Sequence, residues 1–173
     1  MWLALTVTLP PALWAALVLL GPYTPILLSL TGTQPEHAFV VFRATCMALN
    51  ALRIATIAWA LWPAMRMPST LALGAGLAMV VTGQALNTYV YTTIGSRGVY
   101  YGTAFGLRVP WSTGLPFRVL RDPQYLGAML TYTGAALATN ILHLHHVRAL
   151  LVLLGASYYL VGRLEAAMAQ RAS

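Results

Sequence analysis

Charged side chains are scarce in this sequence, and lysine is absent altogether. Of the 173 residues only 8% are charged, and the acids are limited to Glu36, Asp122 and Glu165. Water-soluble domains carry about 25% charged residues, so this composition excludes an ordinary soluble domain. Hydrophobic residues make up 59% of the chain and its mean hydropathy is +0.71, which indicates an integral membrane protein.

Cysteine occurs once, at Cys46, and a single thiol excludes an internal disulfide framework and a thiolate metal cluster. Three histidines stand close together at His143, His145 and His146, but no acidic residue is near them in the sequence. We therefore expect an interfacial turn at this point and no metal site.

All ten basic residues are arginines, and they give the chain a net charge of +7. They are spread over short loops between apolar runs, which disfavours a nucleic-acid partner. The charge suits anionic lipid headgroups or a phosphorylated ligand. Arg53 instead lies deep in an apolar run, where a charge should face protein or a water-filled cavity. Either a structural role or a contact to a ligand phosphate would explain it.

Long apolar runs separated by polar breaks predict four to five membrane segments. About 20 apolar residues are needed to cross a bilayer as a helix. The first run lacks a basic leader and an obvious cleavage site, so we expect a retained helix rather than a signal peptide. Whether it crosses the membrane is left open. The predicted segments are residues 1–20, 38–63, 70–93, 124–142 and 147–161.

The last two segments are short and separated by the histidines, so we predict that they form a C-terminal helical hairpin. The predicted fold is all-α, a polytopic helical bundle that forms a single membrane domain over residues 1–173. The loop 95–121 and the C-terminal tail then share one side, which the positive-inside rule makes cytosolic. The arginines on that side are Arg97, Arg108, Arg118, Arg121, Arg163 and Arg171.

The polar stretch from Leu115 to Gly127 concentrates charge at the foot of an apolar segment. It contains Asp122 followed by Pro123, a pair that predicts a helix beginning there, with the aspartate as its N-cap. The free N–H groups at such a helix start can hold an anion or a carboxylate.

The preceding segment, from Ile94 to Arg121, is the longest part of the chain that is not apolar. Glycines recur in it at positions 95, 98, 102 and 106, and glycine lets the backbone approach a ligand closely. A loop of this length inside a compact domain is usually functional.

These motifs resemble those of the phosphatidylethanolamine and phospholipid N-methyltransferases. Residues 115–127 are similar to the family's Phe-Pro-Phe-Asn-x-x-x-Asn-Pro-x-Tyr-x-Gly, and residues 94–106 to its Leu-Gly-x-x-Gly-Thr-Tyr-Leu-Gly-Asp-Tyr-Phe-Gly. The family's Gly-x-Gly falls on Val81–Thr82–Gly83, and its Glu-Glu pair on Leu164–Glu165, so one residue of each is kept. The resemblance covers roughly residues 80–171. It divides the chain into N-terminal helices, 1–68, and a methyltransferase-like catalytic region, 69–173.

The resemblance implies S-adenosylmethionine as the methyl donor and phosphatidylethanolamine, or its monomethyl or dimethyl form, as the acceptor on the way to phosphatidylcholine. It implies the endoplasmic reticulum membrane, with the active site facing the cytosol, and neither a metal nor a nucleic acid. A cationic amine must lose a proton before it attacks, and Glu165 is the first candidate to accept that proton, with Asp122 the second.

The resemblance also suggests which residues bind the two ligands. Arg118, Arg163 and Arg53 are the candidates for the lipid headgroup, and the rings of Tyr101, Tyr125 and Phe105 are candidates to face an onium cation. The cofactor-binding candidates are Gly83, Gly95, Gly98, Tyr101, Gly102, Arg121, Pro123, Tyr125 and Glu165.

Two other functions are compatible with the sequence. An isoprenylcysteine carboxyl methyltransferase has a related motif, but Leu115–Pro116–Phe117, and Asp122 where that family has histidine, favour the phospholipid enzymes. A non-catalytic membrane scaffold that binds lipid would explain the missing glycine and glutamate. Binding of S-adenosylmethionine would separate that scaffold from an enzyme.

Overall fold

A computed structural model describes residues 34–120 and 122–172, and over these residues the chain is helical, without β-strands. The prediction of an all-α fold is confirmed for this part of the chain, whereas the predicted segment 1–20 lies outside it. Two short 3₁₀ helices follow the first two α-helices, at Trp62–Ala64 and Gly102–Phe105. The α-helices are α1 (Pro35–Leu61), α2 (Thr70–Val99), α3 (Pro123–Ala138) and α4 (His145–Ala172).

Among the described residues, α1 and α2 are long and apolar enough to cross a membrane. The qualifying stretches are Pro35–Trp59 and Thr70–Val99, with 25 and 30 residues and mean hydropathies of 1.5 and 1.3. At about 1.5 Å per residue both exceed the roughly 30 Å of a bilayer core. Large apolar side chains such as Trp59 (85% exposed) and Leu71 (83% exposed) lie on their outer surfaces, as lipid-facing residues would.

The chain divides into two compact units. The described part of the first comprises residues 34–62 and 94–111, and that of the second comprises residues 63–93 and 112–172. Helix α2 passes from the second unit into the first at Ile94. The next residue, Gly95, has φ 66° and ψ −178° and interrupts the helical backbone. We expected the helix to end near residue 93, but it resumes after this glycine and continues to Val99.

The first unit is built around an aromatic cluster. Phe39 and Phe42 of α1 contact the ring of Phe105, with ring centroids 5.8 Å and 5.3 Å apart. Glu36 in the first turn of α1 accepts a hydrogen bond from the Arg97 guanidinium at 2.8 Å. Within the first unit, the start of α1 therefore lies beside the last turn of α2.

In the second unit, α2 and α3 approach each other at two pairs of glycines. A Cβ atom on Gly76 would lie 2.6 Å from the carbonyl oxygen of Gly134, and a Cβ on Gly83 would lie 2.5 Å from that of Gly127. The two glycines on each helix are seven residues apart, so they share a face, and their pairing is antiparallel. Small residues at these positions allow the backbones to pack closely, as is typical of membrane helices.

A short loop joins α3 to α4 and includes the clustered histidines. Asn140 has φ 53°, and its carbonyl oxygen lies 2.8 Å from Nδ1 of His143. The loop is tied to the segment before α2, because the Arg66 N–H donates a hydrogen bond to the Thr139 carbonyl at 3.2 Å. No group of three or more histidine, cysteine or acidic residues is placed to hold a metal ion in residues 34–120 and 122–172.

Candidate active site

Helix α3 begins where the sequence predicted, with Asp122 in the N-cap position and Pro123 as the first helical residue. The carbonyl oxygen of Asp122 accepts hydrogen bonds from the N–H groups of Tyr125 and Leu126, at 3.1 Å and 3.3 Å. The side chain makes no capping hydrogen bond, so the predicted cap is wrong in that respect. Helix capping therefore does not account for the Asp122 carboxylate.

The carboxylate of Asp122 instead lies against Gly162 of α4. A Cβ atom on Gly162 would come within 2.8 Å of Oδ2 and 3.3 Å of Cγ of Asp122. Gly162 is buried and Asp122 is half-buried. Any side chain at position 162 would have to displace the carboxylate, so the glycine is needed for this close approach.

The position of Glu165 follows from the backbone of α4. This glutamate is three residues beyond Gly162, which is about 4.5 Å along a helix axis at 1.5 Å per residue. Residues three apart lie on neighbouring positions of one helix face. The backbone of α4 thus brings Glu165 within one turn of the residue that Asp122 contacts, while the glutamate side chain lies outside what the structure describes.

A second contact joins the same two helices one turn away. The rings of Tyr125 and Tyr158 are stacked, with centroids 4.8 Å apart and planes 11° from parallel. Tyr158, Gly162 and Glu165 are spaced i, i+4 and i+7, so their backbone positions share one face of α4. We call Asp122, Tyr125, Tyr158 and Gly162 the α3–α4 cluster. The sequence analysis missed Tyr158. Its spacing of seven residues from Glu165, which is two helical turns, is the signal that could have identified it.

Gly83, a predicted cofactor contact, lies on the packed face of α2. The space beside it is filled by the backbone and hydroxyl of Thr131 on α3, 2.6–2.8 Å from where a Cβ would be. Helix packing therefore accounts for this glycine, and its contact with a cofactor stays a prediction. One turn further, Oδ1 of Asn87 is buried beside Gly127 and has no hydrogen-bond partner among the described residues.

The predicted glycine-rich loop belongs to the first unit. Gly95 has a positive φ and open space where a Cβ would stand, whereas Gly98 packs on Ile94 and Gly102 on the carbonyl of Arg97. Tyr101 adopts a left-handed conformation, φ 57°, and its ring lies edge-on to Phe42. Gly106 shares both features with Gly95, because its φ is 73° and no atom lies within 4 Å of a Cβ there.

The suggestion that Phe105 faces an onium cation is wrong. Its ring is buried between Phe39 and Phe42 in the core of the first unit and is only 7% exposed. Filling that core explains the phenylalanine.

The structure describes the side chains of some of the arginines predicted to bind ligands and not of others. Arg163 directly follows Gly162 on α4, and its side chain is exposed. Arg118 is also exposed, in a turn closed by the hydrogen bond from its N–H to the Gly114 carbonyl at 3.1 Å. Arg121 and the side chain of Arg53 lie outside the described part of the chain. Of the predicted site residues, the second unit therefore brings together Asp122, Pro123, Tyr125 and the backbone of Glu165.

Comparison with known proteins identifies the family. A model of the phospholipid methyltransferase family matches residues 71–172, and the chain belongs to this family, as the motifs predicted. A relative from Arabidopsis thaliana, phosphatidyl-N-methylethanolamine N-methyltransferase, is 31% identical over an alignment of 112 residues that covers 60% of this chain and 59% of that protein. The chain therefore spans less than two thirds of the relative's length. No solved structure matches the chain significantly.

The family and the two apolar helices together indicate a membrane protein. The match begins at Leu71, next to the start of α2, and it includes the whole α3–α4 cluster. Helix α1 and its aromatic contacts with the 3₁₀ helix are formed in part by residues before the match.

Proposed function

We propose that this protein transfers a methyl group from S-adenosylmethionine to the headgroup nitrogen of phosphatidylethanolamine or of its monomethyl or dimethyl form. The main support is the α3–α4 cluster, because it combines a half-buried carboxylate with two stacked tyrosines inside the family-matched region. The name of the Arabidopsis relative states N-methylation of a phosphatidyl-N-methylethanolamine. The product class would be phosphatidylcholine and its precursors.

The residues of the cluster fit a positively charged donor. When bound, S-adenosylmethionine supplies a methyl group on a positively charged sulfur, which an uncharged amine nitrogen can attack. Aromatic faces attract such onium cations, and a carboxylate opposes their charge. The exposed guanidinium of Arg163, next to Gly162, is suited to bind a donor carboxylate or a lipid phosphate through two parallel hydrogen bonds. The remaining predicted cofactor contacts are part of this proposal.

The acceptor nitrogen must be deprotonated before it attacks. Aliphatic amines have pKa values of about 10, so the headgroup nitrogen is protonated at neutral pH. In our proposal Glu165 accepts this proton, and Asp122 holds the cation or takes over as the base. The cluster otherwise acts by orienting the two ligands and keeping water away, since methyl transfer depends chiefly on alignment.

The proposed membrane arrangement follows from segment order. We place α1 and α2 across the bilayer and α3 and α4 as a hairpin, which with the N-terminal run gives the four to five predicted segments. The end of α2, the start of α3 and the C-terminal part of α4 then face the arginine-rich side, which we assign to the cytosol. We assign the protein to the endoplasmic reticulum on the family resemblance.

The direct test is a methyl-transfer assay on the purified protein in lipid nanodiscs. Radiolabelled S-adenosylmethionine is supplied with phosphatidylethanolamine, its monomethyl form, its dimethyl form or a prenylated cysteine peptide. We expect label in the extracted phospholipid and none in the peptide. Label in the peptide alone would establish the carboxyl methyltransferase alternative, and lipid binding without donor binding would establish the scaffold alternative.

Replacing Gly162 by alanine should reduce transfer by about tenfold, because a displacement of an ångström can cost on the order of 10²-fold in rate and a smaller shift costs less. The added methyl group would lie 2.8 Å from Oδ2 of Asp122 and force the carboxylate to move. Initial rates with saturating lipid measure the effect.

Gly155 of the same helix is the matched control. A Cβ there meets only the flexible end of Met129, at 3.5 Å, so Gly155→Ala should keep the wild-type rate. Equal rates for the two variants would show that the close approach at Gly162 does not matter for transfer.

A further inference from the structure

The stacked pair of Tyr125 and Tyr158 differs in geometry from the other aromatic pairs of tyrosine and phenylalanine in the described residues. The rings are nearly parallel, at 11°, with centroids 4.8 Å apart, whereas the aromatic contacts in the first unit are edge-on or tilted. Stacking covers one face of each ring, and the π face of a tyrosine carries the negative potential that attracts a cation.

Each tyrosine of the stack is held by the helix that carries it. Tyr125 is in the first turn of α3, where its N–H donates to the Asp122 carbonyl at 3.1 Å. Tyr158 is one turn before Gly162 on α4, and Gly162 contacts the Asp122 carboxylate. Along α3, Tyr125 is therefore about one helical turn from Asp122. Along α4, Tyr158 is about one turn from Gly162, which the Asp122 carboxylate contacts.

This combination has a specific chemical use. A carboxylate supplies the opposite charge, and the aromatic faces supply attraction for methylated onium groups, which are large and weakly hydrated. A primary ammonium is better served by hydrogen-bond acceptors, and a neutral thioether gains little from either group. The cluster is thus suited to distinguish ligands by charge and methylation rather than by shape alone.

The neighbouring residue of α4 provides an internal comparison. Tyr159 is 68% exposed and does not belong to the stack, whereas Tyr158 is half-buried. The two tyrosines have the same side chain and adjacent positions but different surroundings. A role that depends on the stack must be lost at position 158 and unaffected at position 159.

We propose that Tyr158 is a positioning residue that holds Tyr125 so that its outer face, together with the Asp122 carboxylate, receives a methylated onium group. That group is either the sulfonium of the donor or the methylated ammonium of the acceptor. The inference rests on the proposed function and assigns to this site its selectivity for charge and methylation.

The test compares binding and kinetics of Tyr158→Leu, Tyr158→Phe and Tyr159→Leu in the full-length protein in nanodiscs. Calorimetry gives Kd for S-adenosylmethionine and for S-adenosylhomocysteine, which lacks the methyl group and the charge. Kinetics give KM for phosphatidylethanolamine and for its dimethyl form. Tyr158→Phe keeps the aromatic stack and should retain the discrimination between charged and neutral ligands, and Tyr159→Leu should resemble the wild type.

If the sulfonium occupies the site, Tyr158→Leu should raise Kd for S-adenosylmethionine by about fivefold or more relative to S-adenosylhomocysteine. If the methylated ammonium occupies it, the same variant should raise KM for the dimethyl lipid by a similar factor relative to phosphatidylethanolamine. The inference would be overturned if Kd changed equally for S-adenosylmethionine and S-adenosylhomocysteine and KM changed equally for both lipids.

A shape-matched pair keeps the inference testable if Tyr158→Leu does not fold. Phenylalanine and ring-fluorinated phenylalanine at position 125 have nearly the same shape, but fluorination removes the negative potential of the face. We expect the fluorinated variant to lose the discrimination, and retention of it would count against the site. A wild-type protein that neither binds the donor nor transfers methyl would refute the proposed function itself.

Discussion

Replacing Asp122 by asparagine is expected to lower the rate of methyl transfer by about 100-fold or more while the protein stays folded. A group that accepts a proton or holds the cation in the transition state is worth about 10²–10⁴ in rate. Asparagine has nearly the same shape and is an equally good residue at a helix N-terminus. Because the Asp122 side chain makes no capping hydrogen bond, α3 should not be weakened. The initial rate and the thermal midpoint are measured together.

Glu165→Gln is the second arm of this experiment, since it distinguishes the two carboxylates. In our proposal Glu165 accepts the proton, so its amide should lose transfer at least as severely as Asp122→Asn. The acid limb in the pH dependence of kcat should disappear in whichever variant has lost the base. An unchanged rate in either variant would remove that residue from the mechanism.

Glu36→Gln is the matched control for both carboxylates. Glu36 forms an exposed ion pair with Arg97 at 2.8 Å, and exposed pairs contribute only about 0–1 kcal/mol. The variant removes one negative charge, as the other two do, but in the first unit. We expect wild-type transfer, and a comparable loss there would mean that the effect of Asp122→Asn reflects net charge rather than chemistry.

The long helices were predictable because each depends on the length of an apolar run. The predicted segments 38–63 and 70–93 correspond to α1 (Pro35–Leu61) and α2 (Thr70–Val99). The error at the end of α2 has a physical origin. Gly95 interrupts the backbone, and glycine-rich sequence alone does not reveal that the chain returns to a helix afterwards.

The end of α4 agrees with the sequence, because we expected the polar tail, residues 162–171, to be helical by propensity. The apolar run ends at residue 161, whereas the helix continues to Ala172. Glycine at position 162 disfavours a helix by roughly 1 kcal/mol relative to alanine. In the structure its lack of a side chain is what lets Asp122 approach. A tertiary contact therefore explains a residue that local propensity identifies as a breaker.

The candidate site was predictable only where a motif is continuous in sequence. Asp122, Pro123 and Tyr125 follow one another closely, and their helix start was identified from residue types alone. Tyr158 is far from them in sequence, and only the packing of α4 on α3 brings it to Tyr125. Phe105 shows the opposite error, because an aromatic residue in a glycine-rich segment suggested a ligand contact although it fills a core.

Replacing Gly83 by leucine should destabilise the protein more than any single substitution on the outer surface of α2. The new Cβ would lie 2.5 Å from the Gly127 carbonyl oxygen and 2.8 Å from the Thr131 nitrogen. Both are backbone atoms that cannot move aside without separating α2 from α3. Overpacking of this kind costs about 1–3 kcal/mol and occasionally more, and leucine at a backbone contact should be at the upper end. Thermal unfolding in detergent, without ligands, measures the loss.

Gly74→Leu on the same helix controls for the change in helix propensity and apolar surface, because no atom lies within 4 Å of a Cβ at that position. We expect its thermal midpoint to equal or exceed that of the wild type, since glycine is the poorer helix former by about 1 kcal/mol. The comparison also tests the predicted cofactor contact. A Gly83→Leu protein with an unchanged midpoint and weakened S-adenosylmethionine binding would mean that the glycine serves the ligand, and that α2 and α3 do not depend on it for packing.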